Sequence, residues 1–137
     1  MYTIGELSRR TGVKVPTIRW YEQAGLVDEP GRTGGNQRRY ARADVERLSF
    51  IRHARDLGFD LASIRQLIEL SAHPDTPCAN ADAIAAQRLA EVRDRIARLR
   101  RLEAELERMT VSHAHGTAGE CYVLRSLADH EMCEGEH

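Results

Sequence analysis

Soft donor atoms collect at the C-terminal end of this chain. Ser112 to His137, the last 26 of 137 residues, hold four of the six histidines (His113, His115, His130, His137) and two of the three cysteines (Cys121, Cys133). The third cysteine, Cys78, stands 35 residues before His113. Thiolate sulfur and imidazole nitrogen suit zinc and the softer heavy metals, whereas hard cations take oxygen. Seven residues separate His113 from Cys121. A catalytic zinc site would need an activated water and a general base on a fixed element. No His-Glu-x-x-His or Cys-x-x-Cys pattern is present, so an enzyme is not expected.

The compartment agrees with this chemistry. The opening MYTIGELSRR lacks the anatomy of a signal peptide, and no apolar run reaches the roughly 18 to 20 residues of a membrane span. A cytoplasmic protein without membrane contact is expected. There an odd set of three cysteines reads as thiols or ligands rather than disulfides.

The elements that must hold these donors are helical. Aromatics make up 5% of the residues and charged residues 30%, with many Arg, Ala, Leu and Glu, a composition that favours helices and helix pairing. Thr3-Ile4-Gly5-Glu6 has the pattern of a capping box, with the Thr hydroxyl and the Glu carboxylate serving opposite backbone N–H groups, and Gly12 ends the helix it begins. A second helix starts near Pro16 and ends at Gly25. Two short helices about a glycine turn have the spacing of a helix-turn-helix. The same spacing also fits a plain helical hairpin.

EPGRTGGNQRRY suits a β-hairpin, with Arg32, Arg38 and Arg39 on an exposed loop beside Tyr40 as a phosphate clamp. A third helix from about Ala43 has Val45, Leu48, Ile51 and Leu57 as its buried face, and a fourth carries Leu61, Ile64, Leu67 and Ile68. After HPDTPC comes one helix from about Ala79 to Met109. Its apolar seam, Ala85, Leu89, Val92, Ile96, Leu99, Leu102, Leu106 and Met109, has gaps of 4, 3, 4, 3, 3, 4 and 3 residues, close to an a/d repeat. So long a seam needs a partner, and a homodimer supplies one together with two DNA half-sites. Charge is uneven: Lys14 to Arg55 has nine Lys/Arg against five Asp/Glu, and Ser112 to His137 one against five. The first stretch faces a polyanion and the last a cation.

YTIGELSRRTGVKVPTIRWYEQAGLV, GRTGGNQRRY, VERLSFIRHARDLGFDLASIRQLI and the long helix with cysteines at its ends resemble the mercury-resistance (MerR) family of regulators, in its metal-sensing branch, over nearly the whole chain. The resemblance implies an all-α fold with a small β wing. A winged helix-turn-helix DNA-binding domain (1–72) precedes a hinge and long antiparallel coiled-coil dimerisation helix (73–110), then a short metal-binding loop, helix and acidic tail (111–137). It implies a homodimer on double-stranded promoter DNA that bends and underwinds the duplex when effector binds. RNA polymerase is then served indirectly, through the promoter.

The DNA-contacting positions it implies are Thr17, Arg19 and Tyr21 on the second helix, Arg32, Arg38, Arg39 and Tyr40 on the wing, and Arg55 on the next helix. Two departures from the family stand out: Gln37 in the wing where an aromatic is usual, and Lys14 where a capping residue is common. The implied metal ligands are Cys78, His113, His115 and Cys121, with Cys133 and His130 as further donors. In the family a Cys at the position of Cys78 marks sensors of divalent ions, and Ser marks sensors of monovalent copper or silver. A mixed Cys and His set then favours zinc, with cadmium or lead next. Mercury, copper and a redox signal are the remaining alternatives for the effector.

Overall fold

The computed structural model describes residues 1–29, 31–32, 38–111 and 116–129. Its elements run α1 (Ile4–Thr11), α2 (Val15–Gln23), β1 (Gly31–Arg32), β2 (Arg38–Arg39), α3 (Arg42–Asp56), α4 (Leu61–Ser71), α5 (Ala79–Val111) and α6 (Tyr122–Ala128). A short 3-10 turn, Ala118–Glu120, precedes α6. Two compact units result, Met1–Ile84 and Ala85–His137, so the division falls inside α5. Among the described residues no helix is long and apolar enough to cross a membrane.

In the first unit local chemistry places α1 and α2. The Thr3 hydroxyl accepts from the Glu6 amide at 3.2 Å and donates to the Glu6 carboxylate, closing the first turn of α1. Gly12 (φ 74) ends it, its N–H donating to the Ser8 carbonyl at 2.8 Å. That backbone conformation costs a residue with a Cβ about 1 to 2 kcal/mol. Space forbids a side chain as well, since a Cβ on Gly12 would lie 1.6 Å from Nη1 of Arg52. Helix α2 ends at Gly25 (φ 78), where the Leu26 amide returns to the Tyr21 carbonyl at 2.9 Å.

Leu7, Ile18, Leu26, Leu48, Ile51 and Ile64 make the centre of the core, with Tyr40 wholly buried among them. Arginines from the covering helices close the ends of the helix-turn-helix. Arg52 of α3 donates to the Thr11 carbonyl at 2.7 Å, and Arg65 of α4 donates to the Ala24 carbonyl. Those carbonyls lack acceptor duties inside their own helices, and a guanidinium there also meets the negative end of the helix dipole.

Leu57 departs from the buried face expected of α3. It is 56% exposed, because α3 stops at Asp56 and the chain turns away through Gly58 (φ 85). Ala54, at 7%, fills the core place instead.

The strands β1 and β2 pair antiparallel, with Gly31 opposite Arg39 and Arg32 opposite Arg38. Tyr2 ties the N-terminus to the base of this hairpin through two backbone bonds with Tyr40, 2.7 and 2.8 Å. In the second unit α5 leaves its seam open: Leu89, Ile96, Leu99 and Leu106 are 42% to 60% exposed, and Met109 at 8% is the buried exception.

Candidate DNA interface and metal ligands

Thr17, Tyr21 and Arg55 come together. All three line two adjoining clefts on the outer side of the helix-turn-helix, one of about 330 Å³ with Pro16, Trp20 and Leu61, the other of about 250 Å³ with Gly12, Val13, Lys14, Arg52 and Asp56. Tyr21 is only 7% exposed, yet its hydroxyl has no hydrogen-bond partner among the described residues. Arg19 is exposed and lines a separate recess with Glu22, Gln23 and Glu29. The backbones of Arg32 and Arg38 face each other across the hairpin, and Arg39 is half-buried.

Tyr40 corrects the expectation drawn from its place beside the arginines. It is fully buried, and its hydroxyl donates to the carboxylate of Glu22, itself 7% exposed. A ring enclosed in this way cannot lie along a phosphate. Its part is to hold the base of the hairpin against α2.

The charge pattern needs a similar refinement. Arg47 donates to the Leu26 carbonyl at 3.4 Å and Arg52 to that of Thr11, so two of the basic residues in the Lys14 to Arg55 stretch serve the fold directly. Sequence reading passed over Trp20, which is 47% exposed on α2 and meets Tyr21 edge-on with ring centroids 5.6 Å apart. The signal was there, since Trp20 stands between Arg19 and Tyr21 in the chain.

Lys14 gives α2 no side-chain cap, and Pro16 in the first turn has no N–H. The remaining amides of that turn, Val15 and Thr17, meet no acceptor among the described residues.

The two described cysteines are unbonded thiols, each at the start of a helix. Cys78 is exposed just before α5. Its carbonyl accepts from the Asp82 amide at 3.0 Å, and its Sγ lies 3.9 Å from Oδ1 of the Asp82 carboxylate. Cys121 is half-buried and is the N-cap of α6, its carbonyl accepting from the Arg125 amide at 3.0 Å. A first helical turn fixes the direction of each Cβ, which suits both residues to ligation. Within the described residues no three His, Cys, Asp or Glu side chains form a group that would hold a metal. The expected donors His113, His115, His130 and Cys133, and His137 with them, lie outside the described residues.

Comparison with known proteins accounts for both halves of this arrangement. The profile of MerR HTH family regulatory proteins matches residues 2–71, and that of the MerR DNA-binding region matches residues 45–109. The HTH-type transcriptional regulator ZntR of Escherichia coli is 40% identical over 131 residues, covering 93% of this chain and 92% of that protein. The mercuric resistance operon regulatory protein of Pseudomonas fluorescens is 39% identical over 126 residues, covering 91% and 86%. The crystal structure of a transcription regulator of Ralstonia metallidurans in complex with lead(II) superposes with a TM-score of 0.79 at 39% identity, covering 93% of this chain and 99% of that one. The relatives matched are transcriptional regulators, and the chain belongs to the MerR family of helix-turn-helix regulators, in its metal-sensing branch.

Proposed function

We propose that the protein is a homodimeric regulator that binds promoter DNA and activates transcription when a divalent metal binds, with zinc ahead of cadmium or lead. DNA is met by Thr17, Arg19, Tyr21 and Arg55, with Arg32, Arg38 and Arg39 of the hairpin on the backbone. The open apolar seam of α5 supports the dimer, because four large side chains left half in water gain most from a second copy of themselves. Work on promoter DNA puts the protein in the cytoplasm.

The observation that carries the metal reading is the pair of unbonded thiols at two helix starts, Cys78 and Cys121. Cys78 of one subunit and Cys121 with His113 and His115 of the other would hold the ion, with Cys133 and His130 as further donors. A third soft ligand beyond two offsets the second positive charge of a divalent cation, which supports divalent over monovalent ions. Mixed sulfur and nitrogen donors support zinc. A mercuric resistance operon regulatory protein and a transcription regulator in complex with lead(II) among the relatives support a heavy or divalent metal as the effector.

An ion held between subunits favours the quaternary arrangement that binds it better, and bound DNA follows that shift. Cys78→Ser and Cys121→Ser should each remove metal-induced transcription from a reconstituted promoter while changing DNA affinity by no more than about twofold, or roughly 0.4 kcal/mol. Loss of DNA binding in either variant would contradict the assignment.

A further inference from the structure

We propose that the turn between α1 and α2 is a seat for one DNA phosphate, built by Lys14, Arg52 and the open first turn of α2, with the Tyr21 hydroxyl as its inner wall. This deepens the DNA-binding reading and rests on it.

Five observations converge on the smaller cleft. Lys14, Arg52 and Arg55 line it against a single carboxylate, Asp56, so the balance is cationic. Asp56 lies 3.9 Å from Nε of Arg52 and holds that edge of the guanidinium, while Nη1 donates to the Thr11 carbonyl at 2.7 Å. The side chain is thereby fixed on two sides, and half of it remains open.

The first turn of α2 points two amides, of Val15 and Thr17, outward without acceptors, because Lys14 supplies no cap. A helix start of this kind attracts a phosphate by its amides and its dipole together. Tyr21 lines the same cleft with a hydroxyl that lacks a partner although 93% of the residue is buried (7% exposed). A hydroxyl without a partner on the wall of the cleft is a donor open to an acceptor from outside. Gly12 completes the seat, since only a residue without a Cβ lets the Arg52 guanidinium lie across the turn.

Lys14 thus has a positive role, where an ordinary capping residue would occupy the amides itself. A cap would satisfy the helix and close the seat; lysine leaves it for the duplex.

The test is the salt dependence of binding, measured by fluorescence anisotropy with a duplex that the wild-type protein has itself selected from a random pool. Each phosphate contact removed lowers the slope of log K against log salt by about one. Lys14→Gln, at a side chain with no hydrogen bond or ion pair among the described residues, should lower the slope by about one and weaken binding alike on selected and mixed-sequence duplex. Arg52→Gln should do the same, and Arg52→Lys should keep the slope.

A duplex in which each phosphate in turn is a neutral methylphosphonate should contain one position that lowers the wild-type slope yet leaves Lys14→Gln binding unchanged. Should Arg52→Gln not fold, as read by circular dichroism, Lys14→Gln and the methylphosphonate series decide the matter. An unchanged slope in Lys14→Gln, or no methylphosphonate that spares it, overturns the seat. Failure of the wild type to select any duplex overturns the DNA reading instead.

Discussion

The hydroxyl of Tyr40, at the base of the hairpin, donates to the carboxylate of Glu22, on the last turn of α2, and both residues are buried. The bond fixes the end of β2 relative to α2, the helix proposed to meet DNA. Tyr40→Phe keeps the ring in the core and removes only this donor. A hydrogen bond to a charged group contributes about 1.5 to 3 kcal/mol, and Glu22 makes a further interaction, so a loss of about 2 kcal/mol is expected. Urea unfolding of the two proteins measures it, and equal midpoints would deny the bond a stabilising role.

Gly12 predicts a larger effect. Gly12→Ala puts a Cβ into a left-handed backbone (φ 74) and displaces Arg52 from the Thr11 carbonyl. Backbone strain and a lost hydrogen bond together amount to about 2 to 3 kcal/mol. Thermal unfolding followed by circular dichroism reads this directly.

Asp60 gives a pH signature. It caps α4, accepting from the Ser63 amide at 2.7 Å, and that hydrogen bond holds its carboxyl below the usual range, with Ser63's hydroxyl and Arg55 adding to the effect. A lowered folded value means stability that is present above the unfolded carboxylate range and is lost as pH falls through the folded value. Asp60→Asn retains a capping oxygen without the charge. Wild type should therefore be the more stable of the two at neutral pH, with the difference disappearing as pH falls below the usual carboxylate range. A pH-independent difference would remove the charge from the explanation.

Much of this was legible in the chain. Gly12, Gly25, the apolar face of α4 and the period of the α5 seam are local signals, and local signals are what sequence carries best. Which arginines face DNA and which face carbonyls was not legible, because Arg52 and Arg65 each reach a partner 41 residues away. Tyr40 misled for the same reason: its neighbours in sequence are arginines, while its partner Glu22 lies 18 residues back. Leu57 fits the helical period and missed the core only because the helix ends one residue earlier. The thiols could be picked out by residue type, but a ligand set of the kind proposed, drawn from two subunits, would leave no periodicity in one chain.

The seam carries its own prediction. Leu99, 58% exposed on α5, should be covered by the second copy. Leu99→Lys buries a charge at that interface, which costs several kcal/mol when unpaired and shifts the protein to monomer. Sedimentation equilibrium decides it; an unchanged dimer would place the interface elsewhere.

The most direct test of the account as a whole is a competition titration of the purified protein with zinc, cadmium, lead, mercury and copper(I), followed by metal content by mass spectrometry. The account predicts tight binding of divalent ions, with zinc held by the wild type and its affinity reduced at least about tenfold (1.4 kcal/mol) in both Cys78→Ser and Cys121→Ser. A site that prefers copper(I), or one that binds zinc equally well in both variants, would contradict it.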